Sequence, residues 1–189
     1  MIDPSKITNY NLTIPQLEEH MLWWVCAAGK NGTTASKLLE KFMERIGGHV
    51  YTPFVALRML PSTFIPIILK ECGIGCYTHK AKTMLELAYS GIDLKKCTAE
   101  DLEKIYGIGM KTSRCFILHS REGAQYAGLD THVLKFLRAE GYDAPKSTPP
   151  KKKYLELEQI FLTIAKNRKK LPADLDLEIW NAYSIGSNK

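Results

Sequence analysis

Apolar residues recur every three or four positions along almost the whole chain, and this spacing limits the fold more than any other feature. Proline, glycine or a capping residue ends each run. The first long run starts with Thr13, has Gln16 three residues later as in a capping box, and stops at Gly29. Runs that alternate as β-strands do are short and isolated. The sequence therefore predicts an all-α fold of about ten helices.

Length and charge set wider bounds on function. The 189 residues suffice for one large domain or two small lobes. Lys and Arg outnumber Asp and Glu by 26 to 20, a net charge of +6, which fits a polyanionic partner but also many proteins without one. No apolar run of ~18 residues and no export signal occurs, so we expect no membrane association. The five cysteines are expected to be reduced thiols in a cytoplasmic protein, or a nuclear one in a eukaryote.

A turn of the form Gly-Ile-Gly joins two predicted helices, 98–105 and a second that begins near Lys111. Glycine allows positive φ and lets the backbone approach another surface without a Cβ. Ile108 between the glycines is expected to face the core. The free amides at the start of the second helix then suit a phosphate, although an ordinary helix-ending turn has the same appearance.

Lys111 stands in the first helical turn beyond the glycines, where the helix dipole disfavours a cation and favours the neutral, nucleophilic amine. Asp130 follows nineteen residues later, at the predicted N-cap of the next helix. A helix of about ten residues and a short return loop bring the two side chains together. An amine and a carboxylate near a phosphate clamp indicate attack on a sugar carbon of nucleic acid. The alternatives are an exposed lysine and a routine capping aspartate.

LEKIYGIGMKTSRC followed by LDTHVLKFL resembles the helix-hairpin-helix signature of the DNA glycosylase superfamily that includes endonuclease III and the 8-oxoguanine DNA glycosylases. GCYTHKAK and the C-terminal ADLDLEIWNAYS are similar to other segments of its compact members. The resemblance implies a single unit, 1–189, with a two-lobed helical fold and an active site in the cleft between the lobes. One lobe is expected at 30–130 with the hairpin at 98–121, and the other at 1–29 plus 131–189.

The resemblance carries roles onto particular residues. It implies that Lys111 attacks C1′ of a damaged nucleotide, that Asp130 assists, and that the protein is a monomer acting on double-stranded DNA. The wedge that fills the gap left by the flipped base is expected at Asn31, or else at Gly29. The predicted DNA contacts are Gly107, Ile108, Gly109, His132, Tyr77, Lys80 and Asn31.

Flipped bases stack on aromatic rings and present polar edges to side chains. Trp180 and Tyr183 lie three residues apart on one predicted helix face, after two acidic residues that could accept the N7–H of 8-oxoguanine. Core packing is the alternative for these aromatics, and the favoured one for Trp23 and Trp24. The predicted base pocket is Cys115, Trp180, Tyr183, Asp174 and Asp176, with Cys115 taken from the resemblance.

The predicted chemistry requires no cofactor. The resemblance implies a K⁺ or Na⁺ site on the backbone carbonyls of Glu103, Ile105 and Ile108. No cysteine follows Cys115, so the iron–sulfur cluster of endonuclease III is not expected.

The leading hypothesis is a bifunctional DNA glycosylase/AP lyase of base excision repair that excises an oxidised base, preferably 8-oxoguanine, through a lysine Schiff base and β-elimination. Oxidised pyrimidines or another modified base are the alternative substrates. A non-catalytic helix-hairpin-helix module that only grips DNA is the alternative of another class. The presence of both Lys111 and Asp130 counts against it, because a module that only binds DNA needs neither.

Overall fold

The computed structural model describes residues 1–184, and these contain ten α-helices, one 3₁₀ helix and no β-strand, which confirms the all-α prediction. The 3₁₀ helix is Pro4–Lys6. The α-helices are α1 (Ile14–Ala27), α2 (Gly32–Ile46), α3 (Pro53–Met59), α4 (Phe64–Glu71), α5 (Tyr77–Tyr89), α6 (Ala99–Glu103), α7 (Met110–Ser120), α8 (Thr131–Ala139), α9 (Lys151–Asn167) and α10 (Pro172–Ser184).

The capping residues read from the sequence start the helices where predicted. At α1, the Gln16 side-chain oxygen accepts a hydrogen bond from the Thr13 amide at 2.9 Å. At α6, Thr98 and Asp101 bond each other's amides reciprocally, each at 3.1 Å. This helix ends at Glu103, two residues before the predicted boundary, because the chain turns there into the hairpin.

The buried side chains form two apolar cores. The first is built mainly from α1 to α7, and the second from α8, α9, α10 and the segment 127–129 that precedes α8. The predicted grouping of 1–29 with 131–189 does not describe this packing, since α1 contacts α2, α3, α5 and α7. Its apolar residues from Leu17 to Ala27 belong to the first core. The 3₁₀ helix contacts both α2 and α10.

Among residues 1–184 no single helix has the length and hydropathy of a membrane span. Within these residues, only α3 and α4 together, with a bend of 120° between them, have that length and hydropathy.

Candidate active site

A cavity of about 720 Å³ lies between the two cores. Its wall comes from the end of α1, the start and inner face of α7, the segment leading into α8, and α10. The residues predicted from the sequence that line it are Asn31, Gly109, Lys111, Cys115, Asp130, His132, Asp176 and Trp180. Residues separated by more than 140 positions in the chain thus share one cavity.

The structure gives different reasons for glycine at the two hairpin positions, 107 and 109. Gly107 has φ of 79°, and a Cβ there would lie 2.3 Å from Oγ1 of Thr83 on α5, so neither its conformation nor its packing admits a side chain. Gly109 is extended, and a Cβ there would meet no atom within 4 Å. Ile108 between them is buried, as expected. Gly107 therefore shapes the turn, and Gly109 leaves the first amides of α7 open to a partner.

Lys111, Cys115 and His119 are spaced by four residues and share the face of α7 that lines the cavity. The Lys111 side chain is half-buried, with Nζ 6.0 Å from the ring centroid of Trp24 on α1. Cys115 is buried one turn further, and burial raises the pKa of its thiol well above the usual range. The face thus presents one amine above a neutral thiol.

Asp130 caps α8 and lines the same cavity as Lys111. Its Oδ1 accepts hydrogen bonds from the amides of His132 and Val133, both at 2.9 Å, so these bonds orient the carboxylate without using Oδ2. Burial raises the Asp130 pKa, the carboxylate of Asp176 raises it further, and the Lys111 ammonium opposes both. Lys111 and Asp130 therefore line one cavity and interact electrostatically within it.

A second carboxylate stands in the cavity on α10. Oδ2 of Asp176 lies 3.1 Å from Nε2 of His119, whose Nδ1 lies 2.8 Å from Oγ1 of Thr8. The His119 ring stacks on Trp24 with centroids 5.7 Å apart. Oδ1 of Asp176 is buried and has no hydrogen-bond partner within the described part of the chain. A buried acceptor without a partner is costly, so it suits a donor supplied by a ligand.

Lys80 is not placed to bind DNA, contrary to the prediction. Its ammonium is buried and donates to the carbonyls of Cys26 at 2.9 Å and Ala28 at 3.1 Å. These are carbonyls at the C-terminal end of α1, which the helix itself cannot bond. Burial accordingly lowers the Lys80 pKa. Its role here is to cap α1.

Three other predicted residues lie outside the cavity wall. Asp174 is exposed in the first turn of α10 and does not line the cavity. Tyr183 packs beside His132, with ring centroids 6.4 Å apart, and under the Lys135 ammonium. Tyr77 is the first residue of α5 and is 37% exposed, with the Lys70 ammonium 5.7 Å from its ring. A helix position alone does not give the direction of these side chains.

Asn31 and Gly29 both lie at the edge of the cavity. The Asn31 side-chain oxygen caps α2 by accepting from the amides of Thr33 and Thr34. In the hairpin, the Ile105 carbonyl accepts from the Ile108 amide at 3.1 Å. The wedge and the monovalent-cation site stay predictions.

Sequence reasoning missed His119 and Gly128, and it favoured core packing for Trp23 and Trp24. Trp23 and Trp24 are both buried and both line the cavity, and the indole N–H of Trp23 also donates to Oγ of Ser36 at 2.8 Å. The four-residue spacing from Lys111 through Cys115 could have identified His119. No local signal identifies Gly128, whose importance comes from contact with α7.

Comparison with known proteins decides the family. Residues 57–170, more than half of the chain, match the profile of the Ogg-HhH family, described as 8-oxoguanine DNA glycosylase. The chain belongs to the Ogg-HhH family. The matched range contains the hairpin, Lys111 and Asp130, and the resemblance drawn from the sequence is thereby confirmed.

One curated relative is the 8-oxoguanine DNA glycosylase/AP lyase of Picrophilus torridus, 33% identical over 79 residues. That match covers 42% of this Ogg-HhH chain and 37% of the relative, so it spans well under half of either protein.

Solved structures extend the similarity in fold to nearly the whole chain. The Methanocaldococcus jannaschii 8-oxoguanine glycosylase/lyase, in complex with a 15mer DNA containing 8-oxoguanine, matches with a TM-score of 0.73 at 21% identity, over 96% of this chain and 87% of that one. The 8-oxoguanine DNA glycosylase of Thermotoga maritima matches with a TM-score of 0.71 at 22% identity, over 95% and 86%. The Ogg-HhH chain therefore has the helical glycosylase fold.

Proposed function

We propose that this protein is a bifunctional DNA glycosylase/AP lyase that excises 8-oxoguanine from double-stranded DNA. The observation that carries the proposal is the meeting of Lys111 and Asp130 in one cavity, directly beyond the Gly-Ile-Gly turn. Membership of the Ogg-HhH family and the names of its relatives support this choice of substrate.

DNA binding is assigned to the hairpin and to the overall positive charge. Gly109 gives a phosphate free access to the amides at the start of α7, where the helix dipole favours an anion. The net charge of +6 adds attraction that does not depend on base sequence. A phosphate held at Gly109 places the adjoining sugar near Lys111, which lies two residues further along the same helix.

The reaction begins when the neutral amine of Lys111 attacks C1′. The Nζ–C1′ bond forms, and the glycosidic bond breaks with its electron pair on the base, which takes up a proton as it leaves. Asp130 stabilises the positive charge that develops on the sugar, or relays the proton. Opening of the sugar gives a Schiff base on Lys111. Loss of a C2′ proton then expels the 3′ phosphate by β-elimination.

The flipped base is assigned to the part of the cavity beside α10. Trp180 supplies an aromatic surface, and the neutral thiol of Cys115 lines the floor. Asp176 provides an acceptor for a base N–H, the feature by which N7 of 8-oxoguanine differs from N7 of guanine. All these groups come from the chain itself, so the chemistry needs no cofactor; K⁺ or Na⁺ at the hairpin carbonyls would only strengthen the phosphate clamp.

A single-turnover assay tests the proposal. Purified protein in excess is mixed with duplexes that carry 8-oxoguanine, thymine glycol, uracil or an unmodified guanine at one position, and base release and strand cleavage are followed separately. The proposal predicts release of 8-oxoguanine well ahead of the other bases. Preference for thymine glycol would reassign the substrate to oxidised pyrimidines, and binding without release from any duplex would indicate a non-catalytic module.

A further inference from the structure

Asp130 follows a stretch of backbone that belongs to no helix. Residues 127–129 are fully buried, so their amides and carbonyls need partners inside the protein. The Tyr154 hydroxyl on α9 donates to the Ala127 carbonyl at 2.8 Å and accepts from the Leu129 amide at 3.1 Å. One side chain thus bonds two backbone groups of the segment at the same time.

Glu158, one turn further along α9, holds the beginning of the same segment. Its Oε1 accepts from the Ala127 amide at 3.0 Å and from Nε of Arg114 at 3.1 Å. Arg114 lies on α7, three residues after Lys111, and its guanidinium also pairs with Glu103 of α6. The helix that carries Lys111 and the segment that carries Asp130 are therefore joined through buried, charge-assisted bonds.

The segment also packs against α7. A Cβ at Gly128 would lie 2.3 Å from Sγ of Cys115, so the backbone already touches that helix and cannot move closer. The hydrogen bonds of Tyr154 to Ala127 and Leu129 tie the same backbone to α9. The segment is thus held by both α7 and α9, and Asp130 begins α8 directly after it.

We propose that Tyr154 is a positioning residue: its hydroxyl fixes the backbone of residues 127–129 and thereby holds the Asp130 carboxylate opposite Lys111. This inference rests on the proposed glycosylase function for its catalytic consequence. Its structural consequence does not depend on any substrate. Tyr154 itself touches neither the cavity nor the reacting atoms.

Tyr154→Phe removes the hydroxyl and keeps the ring, which leaves the Ala127 carbonyl and the Leu129 amide without their partner. We expect the single-turnover rate of 8-oxoguanine release to fall by about 10–100-fold, as a shift of about 1 Å in a catalytic group does. Affinity for a duplex with an uncleavable abasic analogue should not change, because the hairpin is untouched. Phe161→Leu is the matched control, since Phe161 is fully buried on the same helix and has only packing contacts with the second core.

Amide hydrogen exchange separates this inference from the proposed function. If Tyr154 positions Asp130, Tyr154→Phe should speed exchange at Leu129 and also at His132 and Val133, whose amides bond to the Asp130 carboxylate, while α1 and α5 keep the parent rates. Equal exchange at His132 and Val133 in parent and variant, or an equal rate loss in Phe161→Leu, would overturn the inference. Absence of activity in the parent would instead refute the glycosylase proposal, and the exchange result would still decide the role of Tyr154.

Discussion

Gly128 should be intolerant of even one added methyl group, for a reason that the structure localises to a single atom. A Cβ at this position would lie 2.3 Å from Sγ of Cys115, but 3.6 Å from both Cβ of Cys115 and Oδ1 of Asp176. The last two distances are ordinary contacts, whereas the first is a severe overlap. The thiol sulfur of Cys115 is therefore the one atom of these three that must shift to admit alanine at position 128.

The expected effect of Gly128→Ala on stability and activity follows from that overlap. Non-bonded heavy atoms settle at about 3.5–4.0 Å, so Gly128→Ala forces a displacement of more than about 1 Å in a closely packed wall. Overpacking of this kind costs about 1–3 kcal/mol of unfolding free energy. The displaced backbone leads directly into Asp130, so base release should also slow, by about 100-fold for a shift near 1 Å.

A double-mutant cycle with Cys115→Ala measures the contact. Urea unfolding and single-turnover release of 8-oxoguanine are recorded for the parent, Gly128→Ala, Cys115→Ala and the double variant. Removal of the sulfur should make room for the new methyl group, giving a favourable coupling energy of about 1–3 kcal/mol and restoring most of the lost rate. If Gly128→Ala is as destabilising in the Cys115→Ala background as it is in the parent, the steric argument is refuted.

Gly109→Ala is the matched control for Gly128→Ala, because it makes the same substitution at a position that has room for a methyl group. Gly109 is extended, and an added Cβ meets nothing within 4 Å, so its stability should change by only about 0.5 kcal/mol. Its affinity for duplex DNA should fall, because the methyl group intrudes where the phosphate is expected. A destabilised Gly109→Ala with parental DNA affinity would contradict both parts.

The remaining predictions concern charge. Burial raises the pKa of Asp130 above its ordinary value of 3.8, so the protein loses stability as pH rises from 3.8 through the raised pKa and the carboxylate becomes charged. The Asp130→Asn variant should therefore melt at or above the parent temperature at pH 7, and the difference should vanish in acid. Its rate of base release should fall by orders of magnitude. A collapsed melting temperature at pH 7 would make Asp130 a structural cap. Lys80→Met should lose about 1.5–3 kcal/mol in urea unfolding because it uncaps α1, with no change in the salt dependence of DNA binding; a reduced salt slope would restore Lys80 as a DNA contact. Replacing the exposed Lys151 and Lys152 with Gln should reduce that slope by about one per lysine if this run contacts phosphates, and an unchanged slope would mark it as a solvated face.

The helices and the hairpin were predictable because their signals are local. Apolar spacing, capping residues such as Thr98 and the glycines of the turn act within a few residues of where they stand. That Lys111 and Asp130 line the same cavity was also predictable, since one helix and a short return loop separate them and limit the distance between them.

Residues whose role depends on packing between distant elements were not predictable in the same way. The sequence suggests that Lys80 binds a DNA phosphate, but its ammonium instead donates to two carbonyls at the C-terminal end of α1, more than fifty residues earlier in the chain. Asp174 and Asp176 are two residues apart on α10, so only one of them faces the cavity, and the sequence does not say which. Trp24 was expected to pack in the core, and it is buried there but also lines the cavity. Such outcomes depend on helix rotation, which local patterns do not fix.

Borohydride trapping is the most direct test of Schiff-base formation on Lys111. Protein and an 8-oxoguanine duplex are mixed with sodium borohydride, which reduces a Schiff base to a stable amine, and the cross-linked product is digested and mapped by mass spectrometry. We expect a covalent adduct on Lys111, which is lost in Lys111→Gln although that variant binds the duplex within a few-fold of the parent. An adduct on another lysine, or strand cleavage by Lys111→Gln at the parental rate, would contradict it.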